Sequence, residues 1–172
     1  MHHDYGWKGY DDAIEAVKIM RSRNYKIDLV VFGEKLKEPF DLYEKAGFKF
    51  EYHYRPTGDA LRHIYASCGI FICASWYEGS GLPAMEAMAC GATLVTTDTG
   101  GSWDYALHEE TALVSPAKQP EQLADNLARV MDDEKLRNEL AENGCKKINE
   151  FSWEANSLRL EKLFKESLTK SK

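Results

Sequence analysis

The chain lacks most of the features that would place it outside the ordinary globular proteins. No run approaches the roughly 18 apolar residues of a membrane-spanning helix, and no signal-peptide pattern is visible. Basic residues are outnumbered, 22 against 28 acidic, for a net charge of −6. That argues against a general nucleic-acid binder, which carries a basic footprint. The tail from Lys162 to Lys172 also carries Glu166, so it makes a poor polybasic membrane anchor. Only four cysteines occur (Cys68, Cys73, Cys90, Cys145), and five histidines, none at metal-ligand spacing. Buried, reduced thiols and no metal are the expectation, with a cytoplasmic setting. Repeats and low-complexity linkers are absent. With 172 residues, 44% of them hydrophobic and 29% charged, the chain has the material for one domain with a proper core.

What is present alternates between two periods. Residues Tyr10–Arg23 place Ala13, Ala16, Val17 and Met20 at helical spacing. Ile27–Gly33 is a nearly continuous β-branched run, as expected of a strand covered on both faces. A helix over Glu38–Ala46 stops at Gly47. Phe48–Tyr54 alternates apolar with polar, predicting an edge strand with one wet face. Thr57 is placed to cap a helix over Gly58–Cys68. The strand Gly69–Ser75, the helix Leu82–Cys90 and the strands Ala92–Thr97 and Ala112–Ser115 follow. Pro120 starts a helix, Asp132 or Asp133 caps the next, and Ser152 opens a last amphipathic one. Such alternation predicts an α/β fold, a doubly wound parallel sheet of the Rossmann kind. Its ligands bind beyond the carboxyl ends of the strands, where Gly33, Arg55, Glu78, Gly100 and Gly101 would converge.

The most informative stretch is Glu78–Gly91, EGSGLPAMEAMACG. A strand runs into a small-residue loop and then a helix start. The first amides of a helix have no internal partner, and its dipole adds positive character, so the place suits an anion. Gly79, Ser80, Gly81 and Leu82 would act through backbone N–H groups, with small side chains permitting close approach. Two carboxylates beside an anion pocket need another task, and accepting sugar hydroxyls is one. Glu86, about one turn into the helix, would lean back toward the loop. A plain dipole-favouring glutamate is the bland alternative for Glu86, and a surface acid for Glu78.

The Glu-x7-Glu element resembles the hallmark of the retaining glycosyltransferases with the GT-B architecture, a group that includes glycogen and sucrose synthases. Trp7-Lys8-Gly9-Tyr10-Asp11 with Ala13-Ile14-Glu15-Ala16, the strand Ile27–Gly33, the trio Leu61, Tyr65 and Ser75, Thr97–Gly101 and Phe151-Ser152-Trp153 resemble further pieces in that family's order. The resemblance implies that residues 1–172 are one Rossmann-like donor-binding domain, the C-terminal half of an enzyme whose N-terminal acceptor domain is absent. The helix over 152–172 would pack toward that missing domain. The implied reaction moves a hexose from a nucleoside diphosphate sugar to a glycan or lipid-linked acceptor with retention, as in polysaccharide biosynthesis, and the isolated chain would be inactive. Glu86 would hold the ribose, Glu78 the transferred sugar, Lys8 and the loop amides the departing diphosphate, and Gly100 and Gly101 would admit the donor sugar. Arg55 would reach the base or a phosphate, unless it is merely a solvated strand end. No cofactor and no metal are implied. The full-length protein would be cytoplasmic or peripheral at the inner membrane face.

Departures from the family pattern are visible. No strand ending in Gly-Arg precedes Lys8, so the normally central first strand is expected to be truncated or altered. Ser102-Trp103-Asp104 follows Gly101, and Ala112 stands where glycine is common. Three other readings compete. A nicotinamide dehydrogenase would need G-x-G-x-x-G between the first strand and helix, which is not found. A glycoside hydrolase would use the two glutamates as an acid/base pair roughly 5–9.5 Å apart. A non-catalytic nucleotide-sugar-binding or assembly module would share the pocket without the chemistry.

Overall fold

The computed structural model describes residues 6–34 and 40–170, without the side chains of residues 40, 41 and 170. A 3-10 turn, Gly6–Lys8, leads through Gly9 into helix α1, Tyr10–Ser22. Gly9 is required by close approach: it takes φ 62°, and a Cβ there would lie 1.8 Å from the Ala74 carbonyl oxygen. Asp11 and Asp12 in the first turn favour the helix dipole. Strand β1 is Val30–Gly33, helix α2 Phe40–Ala46 and strand β2 Glu51–Tyr54. The predicted α2 start at Glu38 lies outside the described residues, as do His2 and His3. Helix α3 (Gly58–Ser67), β3 (Ile70–Cys73), α4 (Leu82–Ala89), β4 (Thr93–Thr97) and β5 (Ala112–Ser115) follow. Helices α5 (Pro120–Asp132), α6 (Glu134–Ile148) and α7 (Trp153–Lys170) complete the chain.

Among the described residues every strand pair is parallel, and helices cover both faces, so the architecture is the expected doubly wound α/β fold. Strand β4 shows why. Its TLVTT run is buried throughout, with Leu94 packed on Ala84 and Met88 of α4 and Val95 on Leu123 and Leu127 of α5. A strand sandwiched in this way needs apolar side chains pointing both ways. The β4 threonines bond sideways to backbone carbonyls: Thr93 to Arg137 and Thr96 to Cys73.

The structure corrects the sequence reading in several places. Instead of one sheet, the described strands form two, ordered β1-β2 and β3-β4-β5, with a cleft between β1 and β3. Strands β1 and β2 are shorter than predicted, beginning at Val30 and Glu51, because only there do they run side by side. Thr57 occupies the cap position of α3 but makes no capping bond with its side chain. Asp133 caps α6, accepting from Leu136 N–H at 2.9 Å, whereas Asp132 accepts the Tyr25 hydroxyl proton. The four thiols are free but only half-buried, since they sit at strand and helix ends rather than in the core. Helix α7 begins as predicted, its Ser152 hydroxyl accepting from Ala155 N–H at 3.1 Å. Trp153, Leu158, Leu160, Leu163, Phe164 and Leu168 leave an apolar stripe on it in solvent. Among the described residues, no helix is long and apolar enough to cross a membrane.

Candidate functional site

The carboxyl ends of β3 and β4 carry the site. Beyond Cys73 the chain turns through Ala74 and Ser75, and Glu78 then bridges to Gly100 in the loop after β4. Glu78 N–H donates to the Thr99 carbonyl at 3.2 Å. Gly101 lies so close beneath this loop that a Cβ would stand 2.3 Å from the carbonyl oxygens of both Glu78 and Gly79. Any side chain at 101 would therefore push the loop away. Asp98 organises the second loop, accepting from Gly100 N–H at 3.2 Å and from the Trp103 indole at 2.6 Å.

Lys8 arrives from the opposite end of the sequence. Its Nζ donates to both carboxylate oxygens of Glu78, at 2.8 and 2.9 Å, with the two side chains only 20% and 13% exposed. The Ser75 hydroxyl donates to Oε1 of the same carboxylate at 2.8 Å. The turn bearing Lys8 is clamped at Trp76, whose backbone N–H donates to the Trp7 carbonyl at 2.7 Å. The Trp76 indole donates to Asp12 at 2.6 Å, and the Lys118 ammonium stands 4.1 Å over its ring. An ammonium, a carboxylate and a hydroxyl are thus held at one strand end.

Beside them runs the glycine loop. Among the described residues, the N–H groups of Gly79, Ser80, Gly81 and Leu82 meet no acceptor of the protein. Helix α4 opens at Gly81, with Pro83 in its first turn. The Ser80 hydroxyl donates to Met85 Sδ at 3.4 Å. Leu82 is exposed at the helix start. One turn further, Glu86 accepts the Tyr65 hydroxyl proton at 3.0 Å. Tyr65 is itself fixed edge-on between Phe32 and Phe71. Burial first, then the Glu86 carboxylate, push the Tyr65 phenol above its ordinary range, so it stays a donor.

A model of the family described as glycosyl transferases group 1 matches residues 2–147. The chain belongs to this family. It is 25% identical over 171 residues to a capsular polysaccharide biosynthesis glycosyltransferase of Staphylococcus aureus, covering 95% of this chain and 44% of that protein. It spans less than half the length of the curated relatives it matches first. Among solved structures it is similar to the C-terminal domain of a group 1 glycosyl transferase from Francisella tularensis: 27% identity, TM-score 0.71, over 84% of this chain and 80% of that one. An Anabaena protein solved in complex with UDP shares the fold, with TM-score 0.77 and 17% identity over 99% of this chain and 47% of that one.

In this member of the group 1 family, the strand-end placement brings Lys8, Glu78, the 79–82 loop, Gly100 and Gly101 together. Arg55 is not joined to them by any described contact. It follows β2 in the left-handed region, φ 47°, exposed, with its N–H donating to the Gly33 carbonyl at 2.8 Å. Glu86 is joined to α3 through its bond from the Tyr65 hydroxyl. Sequence reasoning missed Tyr105, whose hydroxyl stands 2.5 Å from where a Gly81 Cβ would be. Burial, then Cys73 and Glu78, raise the Tyr105 phenol's pKa. It also missed the Trp76–Asp12 clamp. Neither carries a local signal, because both depend on contacts between distant segments. Tyr65 and Ser75 had appeared only as points of family likeness, without a role.

Proposed function

We propose that this chain is the donor-binding half of a retaining glycosyltransferase, moving a hexose from a nucleoside diphosphate sugar to a glycan or lipid-linked acceptor. The observation that carries the reading is the bidentate Lys8–Glu78 contact beside four amides without protein acceptors. A diphosphate needs several N–H donors and a cation, and a sugar needs a carboxylate next to them. Glu86 would take the ribose hydroxyls, with Tyr65 holding one carboxylate oxygen. Lys8 and the loop amides would meet the negative charge that grows on the leaving diphosphate, which lowers the barrier because the donors are already in place. In this reading the cationic role falls to Lys8 and needs no metal. The UDP found in the Anabaena neighbour and the capsular-polysaccharide relative support the donor and acceptor classes. Each glutamate bonds a separate set of partners, which suits two sugar contacts better than the shared acid/base pair of a hydrolase. The acceptor would be held by a domain beyond this chain, so the chain alone should bind donor yet transfer poorly.

Calorimetric titration of the chain with UDP, GDP and their hexose conjugates tests the proposal, with Glu86→Ala as the control. A saturable, Glu86-dependent preference for one nucleotide is the expected result. Equal heats from the variant would remove the ribose assignment, and no binding of any nucleotide would remove the proposal.

A further inference from the structure

The loop after Glu78 lies over a tyrosine. Tyr105 is 3% exposed, its ring in one apolar cluster with Ala84 and Met88 of α4, Leu94 of β4 and Ile148 of α6. Phe151 meets the ring edge-on, with centroids 6.5 Å apart. The backbone is pinned as well: Tyr105 N–H donates to the Ser102 carbonyl at 3.1 Å, and its own carbonyl accepts the Thr111 hydroxyl proton at 2.5 Å. Ring and main chain are thus fixed, and one polar atom is left over. Among the described residues the Tyr105 hydroxyl has no hydrogen-bond partner. A buried phenol normally finds one, because an unpaired O–H costs stability. This one is aimed at Gly81, the residue that opens α4. It is the nearest atom to where a Gly81 Cβ would stand, at 2.5 Å, and the Glu78 Cβ is 3.9 Å from the same point. Unlike the Thr99 hydroxyl, which is sealed without a partner, it stays within reach of an incoming group.

We propose that the Tyr105 hydroxyl is a ligand contact, donating a hydrogen bond to a phosphate oxygen of the nucleoside diphosphate on the 79–82 amides. The contact rests on the donor-site reading above and brings to it a side chain from the loop after β4. The surroundings of the hydroxyl select phosphate. It stands at the positive end of the α4 dipole, beside the N–H groups of Gly79 to Leu82, which meet no acceptor of the protein among the described residues. Around Gly81 the free groups are donors, so their complement is an oxygen that only accepts and can take several bonds at once. A phosphate oxygen does both, whereas a sugar hydroxyl brings a proton of its own. Burial, then Cys73 and Glu78, keep the phenol protonated beyond its ordinary range, so it meets an anion as a donor. Because the ring is fixed, this donor is in place before charge grows on the leaving diphosphate. Gly81 thereby has a second reason to be glycine besides its φ of 72°: a side chain there would stand between the hydroxyl and the loop.

Tyr105→Phe removes the hydroxyl and keeps the ring against Phe151. Calorimetric titration of the whole chain, parent and variant, uses inorganic pyrophosphate, uridine, guanosine, UDP, GDP and the hexose conjugates of the last two. Pyrophosphate and whichever diphosphate the parent binds should bind the variant roughly five- to twenty-fold more weakly. Nucleoside affinity should not change, and the ligand-free Tm should stay within about 2 °C. Equal affinity of parent and variant for the diphosphate would overturn the contact. So would a loss shared by the nucleosides or a larger fall in ligand-free Tm, since either would give the hydroxyl a role within the protein. A loss seen only with the hexose conjugates would move the contact to the sugar and overturn it too. The donor-site reading fails separately, when the parent binds no nucleotide. Pyrophosphate then still reports whether Tyr105 serves an anion, and a parent that binds neither overturns both.

Discussion

Lys8 and Glu78 are 70 residues apart in sequence, yet the lysine ammonium lies 2.8 and 2.9 Å from the two oxygens of the glutamate. Under the proposed donor-site reading, a diphosphate entering this site would draw Lys8 partly away from that carboxylate.

Lys8→Ala should weaken UDP binding by roughly 10- to 100-fold, the equivalent of about 1.5–3 kcal/mol for charged hydrogen bonds. Uridine affinity should not change, since it brings no phosphate. Glu78→Gln should leave UDP bound at least as well and bring UDP-hexose affinity down to that of UDP. Calorimetry with the three ligands reads all of this, and equal weakening of uridine and UDP would show that Lys8 acts on the fold rather than on phosphate.

Tyr65→Phe keeps the ring between Phe32 and Phe71 and removes only the bond to Glu86. Nucleoside diphosphate affinity should fall about three- to ten-fold, a neutral donor to a charged acceptor being worth roughly 1 kcal/mol or a little more. In the Glu86→Ala background the same change should have no effect on binding. Independent, additive losses would show that the hydroxyl acts elsewhere.

Alkaline pH offers a check on burial. Tyr10, Tyr65 and Tyr105 all titrate above the ordinary value of 10.0, with burial the largest cause in each. The native state thus holds these protons more tightly than the unfolded chain does. The stability from this source is complete below pH 10 and is lost as pH rises from there toward the folded values. Tm should fall beyond about pH 10, less steeply in Tyr65→Phe. Identical profiles for the two proteins above pH 10 would count against a buried, protonated Tyr65.

Gly101→Ala places a Cβ against two carbonyl oxygens of the Glu78 loop. The loop must move, at a cost of about 2 kcal/mol or more, and donor affinity should drop together with Tm. Gly79→Ala has open space for its Cβ and should leave Tm within about 1 °C. Thermal melts with and without UDP separate the two glycines, and a wild-type melt for Gly101→Ala would refute the close approach.

The exposed stripe on α7 should behave as an unmatched surface. Leu160→Glu with Leu163→Glu should leave Tm within about 2 °C, because neither residue is buried. Sedimentation should show less self-association than the parent chain at high concentration. A large fall in Tm would mean that α7 packs onto its own domain in solution.

Local chemistry alone settled much of this molecule. The β-branched run ending in Val30–Gly33 and the TLVTT segment declare buried strands because both sides of each must be apolar. Pro120 and Ser152 mark helix starts through φ and hydroxyl chemistry that need no distant partner. The glycines after Glu78 and the helix that follows them mark a loop running into a helix start, which the structure shows at Gly81. Only the tertiary structure could bring Lys8 onto Glu78, hang Glu86 on Tyr65, press Gly101 under the loop, or leave Arg55 apart. It alone also revealed two sheets where one was expected. Propensity and periodicity act over a few neighbouring residues, whereas these contacts are set by which segments the packed core brings side by side.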